Sequence, residues 1–286
     1  MFAMKRLLLL GLAVSALVGC KKADSTGGGD DGTGGYGGGG GVTMADAFIA
    51  QTTTDVSTDV TTDTTWSGLV KIHSSITVPA GITLTIEPST VIQFDQNLSV
   101  TVKGTVLASG IKGGTIGMQP APGIQYWNAW EVPAGGTIDF NYVTSRGGGI
   151  TVSGGTAISR DSEFSNVTHD LLVVSSGTID FEYSWIGVPT GQTDSTHCDM
   201  HFTGSPTIKV SHSNLSTASF GIMFYGGQNA DFTYNNWFSN ALNMDKPGSG
   251  TTGDISNGYF DAATPIGSGL TKNNMQTAMV ADAGPR

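Results

Sequence analysis

The chain is predicted to be an all-β solenoid, with short strands wound into stacked coils of about 20 to 25 residues. Three observations carry this. From Trp66 onward apolar and polar residues alternate in short runs broken by glycine, the period-two mark of half-buried strands, and no convincing helical periodicity intervenes up to Phe260. The segment Gly136-Thr-Ile-Asp-Phe-Asn-Tyr142 returns as Gly177-Thr-Ile-Asp-Phe-Glu-Tyr183, 41 residues later, with Gly155-Thr-Ala-Ile158 halfway between. Ile138, Ile158, Ile179, Ile208, Phe232 and Ile255 then mark successive units of 20, 21, 29, 24 and 23 residues. A unit this short cannot bury its apolar side alone and does so by stacking on the next.

Residues 1–19 open the chain with Lys5 and Arg6, continue through a largely apolar stretch from Leu7 to Leu17, and close on Val18-Gly19. This is the layout of a secretory signal, and it is shorter than the ~20 apolar residues a spanning helix needs. Leu17-Val18-Gly19-Cys20 resembles the lipobox of bacterial lipoproteins. The resemblance implies cleavage before Cys20, lipid on its thiol and a second acylation at the new N-terminus. The membrane is then a partner through Cys20, because two acyl chains hold a protein where one holds it only marginally. Lys21 follows the anchor where an aspartate would signal inner-membrane retention, so the same resemblance favours the outer membrane.

Residues 20–65 are expected to be anchor and linker. The Gly/Asp/Ser/Thr tract over 21–41 has too little apolar surface to offset chain entropy, and its reach as a flexible coil is about 25 Å. Met44-Ala-Asp-Ala-Phe-Ile-Ala50 suits a short capping helix. The Thr/Asp run that follows places Asp55, Asp59 and Asp63 every fourth residue. It reads as a second solvated linker, since its β-branched residues make poor helix and no calcium-loop glycine is present.

Residues 66–262 carry the strands. Ile76-Thr-Val78, Ile82-Thr-Leu-Thr-Ile86, Val91-Ile92 and Leu98-Ser-Val-Thr-Val102 are separated by Pro79-Ala-Gly81, Glu87-Pro88 and Lys103-Gly104. Later units repeat a second apolar anchor (Val143, Phe164, Ile186, Leu215, Phe238, Phe260) and a middle pair (Ile150/Val152, Leu172/Val174, Met200/Phe202, Ile222/Phe224, Leu242/Met244). Asn166, Asn214, Asn236, Asn240 and Asn257 suit tight turns, where asparagine tolerates left-handed backbone. The pattern resembles the right-handed parallel β-helix of the pectate-lyase-like superfamily. That implies about nine coils and, at strand spacing, a rod of about 45 Å. Residues 263–286, rich in Gly, Ala and Asn, are expected to form a loose C-terminal cap and tail.

A net charge of −10 and only 13% charged residues argue against nucleic acid as a partner. Cys198 is the only cysteine besides Cys20, so an acylated Cys20 leaves no intramolecular disulfide. The superfamily includes enzymes that cut acidic polysaccharides. Asn229-Ala-Asp231 and Asn243-Met-Asp245 match one element of the polygalacturonase pattern, but its Asp-Asp occurs only at Asp30-Asp31, and its Gly-His-Gly and Arg-x-Lys are missing. Pectate lyases need a base beside acidic calcium ligands, and no carboxylate cluster is legible around Arg146 or Arg160. Glycoside hydrolysis needs two carboxyl groups ~5 to 9.5 Å apart. Asp139, Asp161, Glu163, Asp180 and Glu182 are candidates for stacking at such distances, but they read as solvated outward residues. No catalytic residue and no cofactor is therefore assigned.

Two candidate sites remain. In His197-Cys-Asp-Met-His201, strand alternation places Cys198, Met200 and Phe202 inward and His197, Asp199 and His201 on one outward face. Aligning Leu172/Val174 with Met200/Phe202 puts His169 one coil away, giving an imidazole and carboxylate set suited to zinc or copper. The same unit holds the excess residues 187–196, expected to protrude as a loop. Trp127, Trp130, Trp185, Tyr225 and Trp237, with Tyr126, are candidates for stacking on sugar rings, with Glu131, Asp194 and Gln228 as polar companions. The expected function is that of an envelope or cell-surface lipoprotein displaying a non-catalytic β-helix that binds polysaccharide or another envelope component. A divergent polysaccharide lyase or glycoside hydrolase is the alternative, and a purely structural envelope protein a second one.

Overall fold

Every strand of the computed structural model, which describes residues 52–225, 229–245, 252–265 and 269–286, pairs in parallel with the strand one coil away. Cys20, the signal, the glycine tract, the short helix over 44–50 and Gln228 lie outside the described residues. Three strands per turn stack as three faces of a parallel β-helix. The first face begins with Thr53–Val56, Leu69–Ile72 and Val91–Phe94 and ends with Asn236–Phe238 and Tyr259–Phe260, ten strands deep. The second contains Ala129–Pro133, Cys198–Thr203, Phe220–Tyr225 and Leu242–Asp245; the third contains Thr105–Ser109, Thr137–Asn141 and Thr207–Ser211. Gly149–Arg160 and Asp170–Glu182 run round the corner and serve both. Gly177 makes that bend possible with φ +92°, and a Cβ there would stand 2.2 Å from the Gly155 carbonyl oxygen.

Inward residues form columns along the axis. Ile150, Leu172, Met200 and Ile222 are in register on the second face, as are Ile138, Ala157, Ile179 and Ile208 on the third. On the first face Phe164, Ile186, Leu215, Trp237 and Phe260 align. All are buried, each large side chain contributing about 1.5–3 kcal/mol on removal from water. The column anchors differ from the sequence expectation at a few points. Ala157 rather than Ile158 faces in, Trp237 rather than Phe238 aligns with Leu215, and Met244 rather than Leu242 pairs with Ile222. In a period-two element a slip of one residue exchanges the two faces.

The solenoid starts earlier than residue 66. Thr53–Val56 pairs with Leu69–Ile72, and Thr64–Trp66 pairs with Leu84–Ile86 register positions, so the expected linker over 52–65 is the first coil. The four-residue spacing of aspartates has a structural use. Asp59 accepts the Thr77 N–H at 2.7 Å, Asp63 accepts the Thr83 N–H at 2.8 Å, and Asp55 meets His73 Nε2 at 2.9 Å. Hydrogen bonding orders this run together with Val60, which is buried in the core, and Val56, which packs against it, and the first face is ten strands deep where about nine coils were expected.

At the corner between third and first faces the chain turns through single left-handed residues. They include Tyr142 (φ 48°), Asp161 (52°), Tyr183 (52°), His212 (49°), Tyr234 (61°) and Asn257 (60°). Of the asparagines expected at tight turns Asn257 takes one here, and four of the six are taken by rings. His212 lies 5.0 Å from Tyr183 and 4.6 Å from Tyr234, ring on ring, and offset stacking offsets part of the backbone cost. Ser162, Ser184, Ser213 and Asn235 follow these residues: Ser162 accepts the Val143 N–H, Ser213 the Ser184 N–H and Asn235 the Ser213 N–H, each from the coil before. The segment expected to be a loose tail is docked here. Val280 N–H donates to Asn236 Oδ1 at 2.7 Å, Gly284 N–H donates to the His212 carbonyl at 2.8 Å, and Arg286 pairs with Asp161 at 2.9 Å. The Arg286 guanidinium lies 3.6 Å above the Tyr183 ring.

Candidate functional site

The irregular unit lies between Trp185–Gly187 on the first face and Cys198–Thr203 on the second. The Leu172/Val174 to Met200/Phe202 alignment holds in the register, and it brings His169 beside His197, their ring centroids 4.6 Å apart. The two coils are locked there by the His197 N–H donating to the His169 carbonyl at 2.7 Å.

The carboxylate of this site is Asp170, not Asp199. Asp170 Oδ1 lies 2.8 Å from His169 Nδ1 and 3.1 Å from His197 Nδ1, and its Oδ2 lies 2.6 Å from His201 Nδ1. The Asp170 side chain is 9% exposed, against 70%, 38% and 26% for His169, His197 and His201. A nearly buried anion is thus ringed by three imidazoles from two coils. His197 also meets Phe220 at 5.1 Å and His201 meets the half-exposed Tyr225 at 4.9 Å, extending the row to a third coil. Asp170 directly follows His169 and pairs in register with Cys198. Extending the strand alignment back by two residues from Leu172 would have found it.

Asp199 is turned inward, correcting its expected place beside His197 and His201. The coil bends at this point so that consecutive residues face the core: Leu171 and Leu172 are both buried, and so are Asp199 and Met200 in the next coil. Asp199 is 0% exposed, and neither carboxylate oxygen has a hydrogen-bond partner among the described residues. Burial first, and the charge of Asp194 second, push its pKa well above the ordinary carboxylate value; the nearby Ser216 N–H offers slight relief without a full hydrogen bond. Asp194, expected as a surface companion, organises the inserted loop. Its Oδ1 accepts the Asn166 N–H at 2.9 Å, the Thr196 N–H at 2.9 Å and the Thr196 hydroxyl at 2.6 Å, while its Oδ2 is buried without a partner among the described residues. Of the loop itself, Pro189–Thr193 stand exposed. Cys198 is buried and donates to the Met200 carbonyl at 2.7 Å. Burial, then the charges of Asp170 and Asp199, push the thiol strongly upward, as for a cysteine packed away from solvent.

The aromatic platform is not assembled. Trp130 and Trp237 are 0% exposed and Trp127 3%. Trp130 aligns with the inward residues Val100 and Ile150, and Trp237 with Leu215 and Phe260. Trp127 stacks on Phe94 at 4.0 Å and donates Nε1–H to the Arg146 carbonyl at 2.9 Å. Trp185 stays partly outward, its Nε1–H donating to Ser216 Oγ at 2.8 Å, and Tyr225 is 49% exposed. Glu131 accepts from Ser99 and Thr101 hydroxyls at 2.8 and 3.1 Å.

On the third face, Arg160 does have carboxylate company, contrary to the sequence reading. It reaches Asp180 at 2.8 Å and Glu182 at 3.2 Å, and Lys209 joins both acids. Burial raises the Glu182 carboxyl, but the Lys209 hydrogen bond and Arg160 charge outweigh it and hold it below the ordinary value. Glu163 is pushed up by burial against the opposing charge of Arg146. Asp161 is held by Arg286, and Asp139 accepts from Asn141 at 3.0 Å. The two Asn-x-Asp matches serve turns and neighbouring coils: Asp231 accepts from the Thr233 N–H at 3.0 Å, and Asn243 donates to Asp261 at 3.1 Å. No protein-family model matches this chain, and no curated protein or solved structure matches it either.

Proposed function

We propose that this chain is a lipid-anchored envelope protein that displays a non-catalytic parallel β-helix, and that it binds an envelope polysaccharide or protein through the second face of the solenoid. The observation that carries the reading is the outward row of rings His169, His197, His201 and Tyr225, spread over three coils around the carboxylate of Asp170. Planar side chains that keep one side in water and are held from below by hydrogen bonds form a stiff recognition surface. Anchoring rests on the lipobox resemblance at Cys20.

The test has two parts. Cys20→Ala is expected to move the protein from the membrane to the soluble fraction, and the wild type to incorporate labelled palmitate. The protein is then expected to be retained on isolated envelope material, and Tyr225→Ala with His201→Ala to lower that retention; unchanged retention in the double variant sinks the assignment of this face. One observation favours a second reading, polysaccharide cleavage: Arg160 and Lys209 stand beside Asp180 and Glu182 on the third face. New reducing or unsaturated ends on incubation with a polysaccharide panel, lost in Arg160→Ala, would decide for it.

A further inference from the structure

We propose that His169 Nδ1, His197 Nδ1 and a carboxylate oxygen of Asp170 bind one divalent transition-metal ion of the zinc or copper class, with His201 orienting the carboxylate. The inference rests on the second face being the binding face and names an ion as its ligand.

Convergence on one atom is the first argument. His169 Nδ1 and His197 Nδ1 both approach Asp170 Oδ1, at 2.8 and 3.1 Å, and the three ligand atoms lie within 4.8 Å of one another. A tetrahedral ion with bonds of ~2.0–2.1 Å sets neighbouring donors about 3.3 Å apart. The donors therefore need to spread by only a few tenths of an ångström on these two edges. Mobility is distributed to allow it. Asp170 is nearly buried, while His169 is mostly exposed and His197 partly so. The backbone beneath them is fixed by the His197-to-His169 hydrogen bond and by the register of Asp170 with Cys198.

The chemistry of the donors selects the ion. Two imidazoles and one carboxylate match borderline transition metals, whereas calcium and magnesium favour all-oxygen shells. In the metal-free site each Nδ1 shares a proton with Asp170; an ion bound there would displace it and leave each ligating imidazole protonated on Nε2, with the Nδ1 lone pair toward the metal. His201 meets the other carboxylate oxygen at 2.6 Å, the arrangement by which an outer group holds a ligand in place. Three protein donors leave a coordination position open toward solvent. Cys198 is buried and is not among the converging ligand atoms.

The test uses the untagged full-length chain in detergent, stripped with chelator and titrated calorimetrically with zinc sulfate, copper sulfate and, as control, calcium chloride. One equivalent of zinc or copper is expected to bind at micromolar or tighter affinity, and calcium not to bind at this site. His169→Ala and His197→Ala are each expected to weaken binding at least about tenfold, and His201→Ala to weaken it by about 10- to 100-fold as an outer-sphere change. His212→Ala, at the opposite corner, is expected to leave it unchanged. Asp170→Asn keeps the side-chain volume and, with far-UV circular dichroism on every variant, separates loss of ligation from loss of fold. No saturable zinc or copper binding below about 100 μM, or binding that survives in folded His169→Ala, His197→Ala and Asp170→Asn alike, overturns the proposal. Retention on envelope material is measured separately with and without chelator. Zinc binding without any retention sinks the envelope-binding reading and leaves the metal site standing; retention without zinc binding does the reverse.

Discussion

Replacing Asp199 by leucine should stabilise the protein, although it removes a carboxyl group from that position in the coil. The side chain is 0% exposed and both of its oxygens lack hydrogen-bond partners among the described residues. A buried polar group left unsatisfied costs about 1–3 kcal/mol. Leucine already occupies the equivalent position one coil earlier, as Leu171, so the new side chain has a precedent in the same column. The expected gain is about 1–3 kcal/mol, or roughly 2–4 °C in Tm for each kcal/mol in a domain of this size. Asp199→Asn should gain less, because its amide inherits unpaired atoms.

The pH dependence has a definite sign. The folded pKa is raised, by burial first and by the Asp194 charge second, so the folded state keeps a proton that the unfolded chain releases. Stability of the wild type therefore falls as pH rises from the ordinary carboxylate value toward the folded one. The leucine variant lacks this loss, so the gap between the two widens over that range. Thermal and urea unfolding of both proteins at several pH values measures it. A leucine variant less stable than wild type at pH 7, or a gap that does not change with pH, would refute the reasoning.

Trp237→Ala should cost about 3–5 kcal/mol in urea unfolding, as for other buried aromatic truncations, because Trp237 is fully buried and stacks on Phe260 at 5.5 Å; loss of sugar retention with unchanged stability would contradict its place in the core. His73 bridges Asp55 and Asp95, each at 2.9 Å, tying three successive coils. Its pKa is raised by the hydrogen bond it donates to Asp55 first and to Asp95 second, so its stabilisation is present below about pH 6.5 and fades as pH rises through the folded value. Amide protection over Thr53–Val56, corrected for intrinsic exchange, should fall across that window, and His73→Gln should abolish the change.

Much of the stack was legible because its central coils repeat almost without variation. Gly136–Tyr142 and Gly177–Tyr183 are two coils apart and occupy equivalent places, with Ala157 between them as the shared inward position. Where coil length varies, the choice of anchor becomes ambiguous by a residue or two. Phe238 competes with Trp237 for the inward place, and the wrong choice carries a tryptophan from core to surface. Corners defeat alternation altogether: Asp199 follows Cys198 on a strand, yet the bend turns it inward beside Met200. The first coil was illegible for another reason. Thr53, Thr54 and Asp55 are exposed, and pairing of their backbone with Leu69, Val70 and Lys71, not an alternating apolar face, makes them a strand. Of the candidate metal ligands, the three histidines were readable from register, whereas Asp170 was hidden by the more conspicuous Asp199.

The docked segment after Leu270–Thr271 bridges distant coils. Neighbouring coils meet through contacts some 20 to 30 residues apart in sequence, but Arg286 reaches Asp161 across 125 residues. Its docking surface is composite: a carboxylate and a ring from two coils, a carbonyl from His212 and an amide oxygen from Asn236. None of these stands in its final place until several coils have closed on one another. The segment therefore makes all of these contacts at once only where the coils from Asp161 to Asn236 stand in register, and its docking reads out their alignment.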